Sequence, residues 1–207
     1  MLNLRKCEEE QKKLASKVVL ADGFSEISTI GGAEVYVVDK RMVACVVVCD
    51  AKTLSLKEKS IVSGVTSLTF HPEFRAYREG PLLGEAISGL SLKPDVMMFD
   101  GEGVLHPRLG LASHLGVLFD MPSLGVLKEP SFGEIQGSYV VLEGKKLGQL
   151  VRTKEHANPL VVSAGHKITL ESAVTLVKKS ILEPHKMPEP LHLAHKLAKK
   201  GMITSLR

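Results

Sequence analysis

The 207-residue chain has no Trp, and only three Tyr and six Phe, so aliphatic side chains must fill its core. Cysteine is scarce and odd in number: Cys7, Cys45 and Cys49. None belongs to paired Cys-x-x-Cys motifs, which argues against a structural zinc site, and three thiols are too few for a disulfide scaffold. Cys45 and Cys49 fall inside an apolar run and read as reduced core residues. No apolar run reaches the roughly 18 residues that a membrane helix needs. The opening segment MLNLRKCEEEQKKLASKVV is charged and lacks the apolar stretch of a signal peptide. The expectation is a soluble, cytoplasmic protein with no membrane partner. Neither sign of charge dominates: 27 Lys and Arg oppose 23 Asp and Glu, a net +4. Hydrophobic residues at 44% and charged residues at 24% exclude a disordered chain.

What charge asymmetry there is lies at the C-terminal end. From Lys178 to Arg207 seven Lys and Arg face two Glu. That pattern fits either a solvated helix face or a phosphate-contacting surface.

Hydrophobic periodicity predicts a helix over 2–18, then a hairpin of strands 29–38 and 42–50 turning at Asp39-Lys40-Arg41. A third strand is expected over 60–70, and a helix within 71–90 broken or started near Gly80-Pro81. A buried strand in 93–103 ends at Asp100. A helix over 108–120, a short strand over 121–128 and a hairpin over 137–153 around Glu143-Gly144-Lys145 follow. A strand over 158–166 ends at Gly165-His166. Helices over 168–182, capped by Thr169, and 190–200, stopped by Gly201, close the chain. With no repeat or linker, residues 1–207 read as one domain of α/β class. Its mixed sheet, an antiparallel hairpin plus parallel strands, is flanked by helices.

In such sheets sites form at the carboxyl ends of strands. Three strand ends carry chemistry: Asp100, Lys128 and His166. Asp100 follows four apolar residues and precedes Gly-Glu-Gly. A carboxylate there is costly unless paired or metal-bound, although strand-end aspartates also serve as turn caps. Glu34 stands inside the apolar run IGGAEVYVV, where Glu is unusual unless the strand is an exposed edge. Glu79 lies beside Arg78, either as a surface ion pair or as a third converging carboxylate. Hard oxygen ligands of this kind hold Mg²⁺ or Mn²⁺, which stabilise attacking and leaving oxygens in phosphodiester cleavage. His166 and His106 are candidate acid–base groups, and Lys128 could neutralise charge on a phosphate.

These segments resemble the endonuclease V family along nearly the whole chain. The resemblance is carried by QKKLASKVV, FDGEGVLHPRLGLASHLGVLFDMPSLGVLK, NPLVVSAGHKITLESA and KMPEP, and the second block is the most specific. It implies a ribonuclease H-like fold and a metal-dependent endonuclease that cuts DNA or RNA near deaminated bases, chiefly inosine, in repair. By that resemblance Glu34, Asp100, Glu79 and His166 hold Mg²⁺, with Mn²⁺ as substitute. Lys128 contacts the scissile phosphate, and His106 stands near the site. Phe70 takes the place of a strand-opening tyrosine, and Gly110 and Leu111 line the base pocket. The protein would act as a monomer.

The chain departs from the family pattern in places. Glu34 replaces an aspartate. Glu73 and Arg75 replace a glycine and an apolar residue of the wedge loop. Glu102 and Glu129 add negative charge near a polyanionic substrate, which is electrostatically adverse. Two alternatives therefore stand beside the nuclease: a nucleic-acid-binding protein with a lapsed active site, and a related nuclease for branched or mismatched structures.

Overall fold

The computed structural model describes residues 3–205, so Leu2 of the predicted first helix and Arg207 of the basic tail lie outside the described residues. The first helix, α1 (Leu4–Ala15), is capped by Asn3, whose side chain accepts the Lys6 N–H at 3.2 Å. Its buried points are Cys7, Gln11 and Leu14.

The hairpin forms as β1 (Thr29–Val38) and β2 (Arg41–Asp50). Val38 pairs with Arg41, so the turn is two residues rather than the predicted three. Asp39 adopts φ 55°, a left-handed conformation that Asp tolerates and that tight hairpins require. Met42 to Cys49 are all buried, because helices cover both faces of β2. Cys45 and Cys49 are buried free thiols, as expected. The next strand, β3 (Leu56–Val65), starts earlier than predicted and ends where its partner begins, at the Arg41–Val65 pair.

A 3₁₀ turn at Pro72–Phe74 leads into α2 (Arg75–Ser88). The helix runs through Gly80-Pro81, where a break or a start was predicted. Pro81 removes one backbone donor, but burial of Ala76, Glu79, Leu83 and Ala86 holds both halves on the sheet. Then come β4 (Val96–Asp100), α3 (Leu111–Leu118) and β5 (Ser123–Leu127). A short β6 (Glu134–Gln136), absent from the prediction, joins β7 (Tyr139–Leu142) and β8 (Lys145–Val151). The chain ends with β9 (Leu160–His166), α4 (Leu170–Lys179) and α5 (Glu189–Ser205). Thr169 caps α4 as predicted, accepting the Ser172 N–H at 3.1 Å. Gly201 does not stop α5. A glycine inside a helix costs about 1 kcal/mol, and burying Met202 one residue further on outweighs it.

The nine strands form one mixed sheet in the order β3-β2-β1-β4-β5-β9-β8-β7-β6. β1, β4 and β5 run parallel, while β9 runs antiparallel to β5. The carboxyl ends of β4 and β5 therefore share one edge, and the end of β9 emerges at the other. On one face Ala33, Val35, Met97 and Phe99 pack with residues of α2 and α3. On the other, Val43, Cys45 and Val47 pack with Ala194, Ala198 and Met202 of α5.

The first residues of α5 lie directly on β1. A Cβ at Gly32 would collide with the backbone of Pro190, so only glycine allows this approach. Gly32→Ala should therefore lower stability by about 1–3 kcal/mol, read as a lower urea midpoint at unchanged slope. An unchanged midpoint would mean that α5 is not seated so closely.

Candidate active site

Pairing of Ala33 with Phe99 sets the next residues, Glu34 and Asp100, side by side on the face that α5 covers. Glu79 reaches the same place from the buried side of α2, with only 3% of its surface exposed. The three carboxyls predicted from the sequence are thus brought together. Burial, and after it the neighbouring Asp100, pushes Glu34 up to about 9. Burial also raises Glu79, against the opposing pull of Arg75.

Arg75, one turn before Glu79, ties the group together. Its Nε donates to Glu79 Oε2 at 2.8 Å and its Nη2 donates to Asp100 Oδ1 at 3.1 Å. Burial works against the guanidinium charge, but Glu79 and Asp100 overcome it and raise its pKa further.

The imidazole at this cluster is not His166. Because β9 is antiparallel to β5, His166 pairs with Ser123 at the start of β5, at the edge away from Asp100. Its ring is buried, and Nδ1 accepts the Val19 N–H at 3.2 Å. Nε2 lies 3.6 Å from Asp120, too far for a hydrogen bond. Burial lowers its pKa. The histidine that does reach the cluster is His195 of α5, whose Nδ1 lies 3.2 Å from Glu34 Oε1. Its ring meets Tyr36 edge-on at 5.6 Å. Burial, then the positive charge of Lys128, holds its pKa below the usual value. The sequence carried a signal for it. Leu191, Ala194, Ala198 and Met202 form the buried stripe of α5, and His195 sits at that stripe's edge.

Lys128 follows β5 by one residue, is exposed, and acts electrostatically on His195 together with Lys199. His106 shapes a turn: its Nδ1 accepts the N–H groups of Arg108 at 3.0 Å and Leu109 at 2.9 Å. Burial, then Arg108, pushes it down to about 4, so it is neutral at pH 7. Gly110 packs against the carbonyls of Glu102 and Gly103, where no Cβ fits, and Leu111 is 1% exposed. Gly110 closes against the turn after Asp100, while Leu111 opens α3 and packs in the core with Ala33 and Phe99. Phe70 is half exposed, with the Arg78 guanidinium 5.6 Å from its ring centre.

The added acidic residues are handled locally. Glu73 accepts from Arg108, which is also held by Gln11 at 2.8 Å. Glu102 is buried. One of its oxygens accepts from Ser131, and Oε2 has no hydrogen-bond partner among the described residues.

Three carboxyls and an imidazole are a donor set suited to Mg²⁺ or Mn²⁺. The proton retained by Glu34 marks an excess of negative charge that one guanidinium does not offset. As arranged, no group of three or more described His, Cys, Asp or Glu residues stands in ligating geometry. The cluster is organised around Arg75 instead.

The sequence profile of the endonuclease V family matches residues 12–196. Endonuclease V of Methanopyrus kandleri is 38% identical, covering 93% of this chain and 86% of that protein. The Dictyoglomus thermophilum enzyme is 34% identical over 93% of this chain and 88% of its own length. The catalytic domain of human endonuclease V superposes with a TM-score of 0.90 at 28% identity, over 98% of this chain and 97% of that one. A Ciona intestinalis endonuclease V variant, solved with DNA containing an inosine followed by a ribo-adenosine, superposes at 0.86 with 26% identity over 99% of both chains. A family profile spanning most of the chain, relatives above 30% identity and the shared sheet agree: the chain belongs to the endonuclease V family.

Proposed function

We propose that this protein is a Mg²⁺- or Mn²⁺-dependent endonuclease that hydrolyses a phosphodiester bond near deaminated bases, inosine above all, in DNA or RNA. The observation that carries this reading is the convergence of Glu34, Glu79 and Asp100 at the carboxyl edge of β4, in a chain of this family. The DNA held by the Ciona relative supports nucleic acid as the substrate.

Glu34, Glu79, Asp100 and His195 would hold the metal, which supplies Lewis-acid stabilisation of charge on the phosphoryl oxygens and an acidified water. Lys128, exposed at the end of β5, would bind the scissile phosphate as a point charge. Phe70 offers a ring that can stack on an unpaired base. Extrusion of the base costs least where it is mispaired or single-stranded. Neutral His106 holds the turn at Arg108 and Leu109 that leads to Gly110 and Leu111, the residues that would line the base pocket. Lys196, Lys199 and Lys200, all exposed on α5 downstream of His195, would meet the phosphate backbone. His166 has no part at the cluster, and no described helix is long and apolar enough to cross a membrane.

Labelled inosine-containing and undamaged oligonucleotides, DNA and RNA, test the reading. Metal-dependent cutting near inosine is expected, with Asp100→Ala slowing it by at least about a hundredfold. Cutting that survives both a chelator and Asp100→Ala would sink the proposal. Binding without cutting would favour a lapsed site.

Glu34 adds a pH signature. Its carboxyl ionises near 4.5 when unfolded and near 9 when folded, so between these values the folded state binds the extra proton. The metal-free protein should therefore lose stability as pH rises through this window. Glu34→Gln should flatten that slope and raise the melting temperature by a few degrees at pH 8. Saturating Mg²⁺ should cancel the slope in the unaltered protein. A melting temperature flat from pH 5 to 9 without metal would contradict the buried, protonated Glu34.

A further inference from the structure

Arg75 occupies the position a cation would take between two carboxylates from different elements. Glu79 lies on its own helix, and Asp100 ends β4. The side chains are 13%, 4% and 22% exposed, so the contact is largely out of water. An ammonium could surrender its charge to a competing ion by losing a proton, but a guanidinium cannot. A divalent ion that binds Glu79 and Asp100 together must therefore meet Arg75 as a like charge, at hydrogen-bond distance from its own ligands. The ion and the guanidinium then compete for Glu79 Oε2 and Asp100 Oδ1.

There is a second seat for the displaced group. Glu102, two residues after Asp100, is close enough to act electrostatically on Arg75. Its Oε2 is buried and has no hydrogen-bond partner among the described residues. A buried carboxylate oxygen left unsatisfied is costly, and an arriving guanidinium would relieve it. The Arg75 Nη1 already lies beside Gly101, the residue that separates Asp100 from Glu102 in sequence.

We propose that Arg75 is a resident counter-ion of the carboxylate cluster, which a divalent metal must displace toward Glu102, so that metal affinity is set by this competition. The proposal rests on the reading that the cluster takes a divalent metal. It makes Arg75 a positioning residue with two states. In the metal-free state it holds Glu79 and Asp100 together. In the loaded state it moves to the Gly101-Glu102 turn.

The test is Mn²⁺ binding by calorimetry to the full chain, unaltered and as Arg75→Leu and Arg75→Gln. Both neutral variants should bind on the order of tenfold more tightly. Removing Glu102 as a seat should act through Arg75. Glu102→Gln should weaken Mn²⁺ binding in the unaltered background and leave it unchanged alongside Arg75→Gln. Should Arg75→Leu fold poorly, Arg75→Gln retains hydrogen-bond donors, and the unaltered protein gives its own readout. There the Arg75 Nε–H resonance should shift when Mg²⁺ saturates the site. Equal affinity in all three proteins with an unmoved resonance overturns the proposal and leaves the metal reading standing. No Mn²⁺ binding in any of them removes both.

Discussion

Everything at this site follows from negative charge held out of water. Glu34, Glu79 and Asp100 come from a central strand, a helix and a neighbouring parallel strand, and none can move away without dismantling the sheet edge. Burial of one carboxyl next to another is unfavourable unless a proton or a cation intervenes. The structure uses both: Glu34 retains its proton, and Arg75 bridges the other two. The metal-free state is thus a stable arrangement of its own, with the same carboxyls engaged that catalysis would require.

Sheet direction decides which side chains take part. Residues at the carboxyl ends of β4 and β5 converge because those strands are parallel to each other. β9 reverses that direction, which carries His166 to the far edge beside Ser123. Its place is filled from α5, and α5 reaches β1 only because Gly32 lacks a side chain. The absence of one Cβ on β1 therefore governs whether an imidazole meets Glu34 two residues on.

Much of this was legible in the sequence. An apolar run interrupted by one Glu, and another ending in Asp-Gly-Glu-Gly, marked the strands and their carboxyls. The hairpin, the Thr169 cap and the buried thiols likewise followed from local chemistry. The errors lay where tertiary packing overrode local signals. Pro81 and Gly201 are breakers by intrinsic preference, yet buried neighbours carry both helices through them. Strand direction leaves no mark on a short, wholly buried strand, so the run ending at His166 looked equivalent to the one ending at Asp100. Arg75 and Glu79 stand one helical turn apart, but the second bond, to Asp100, depends on how α2 meets β4, which spacing alone does not disclose.

The added acidic residues looked adverse for a protein that meets a polyanion, and their placement changes that assessment. Glu73 is engaged by Arg108, and Glu102 lies buried beneath the turn, where water and substrate cannot reach it directly. Of the three, only Glu129, next to Lys128, is exposed to solvent without an ion pair among the described residues. A charge that is internally paired contributes little field outside the protein, whereas an exposed one acts over about a Debye length of 8–10 Å. The repulsion that the composition suggests is therefore concentrated at one residue. Its sequence neighbour Lys128 acts, with Lys199, as a positive charge on His195. The wedge loop and the turn after Asp100 thus engage their extra carboxylates with Arg108 and Ser131.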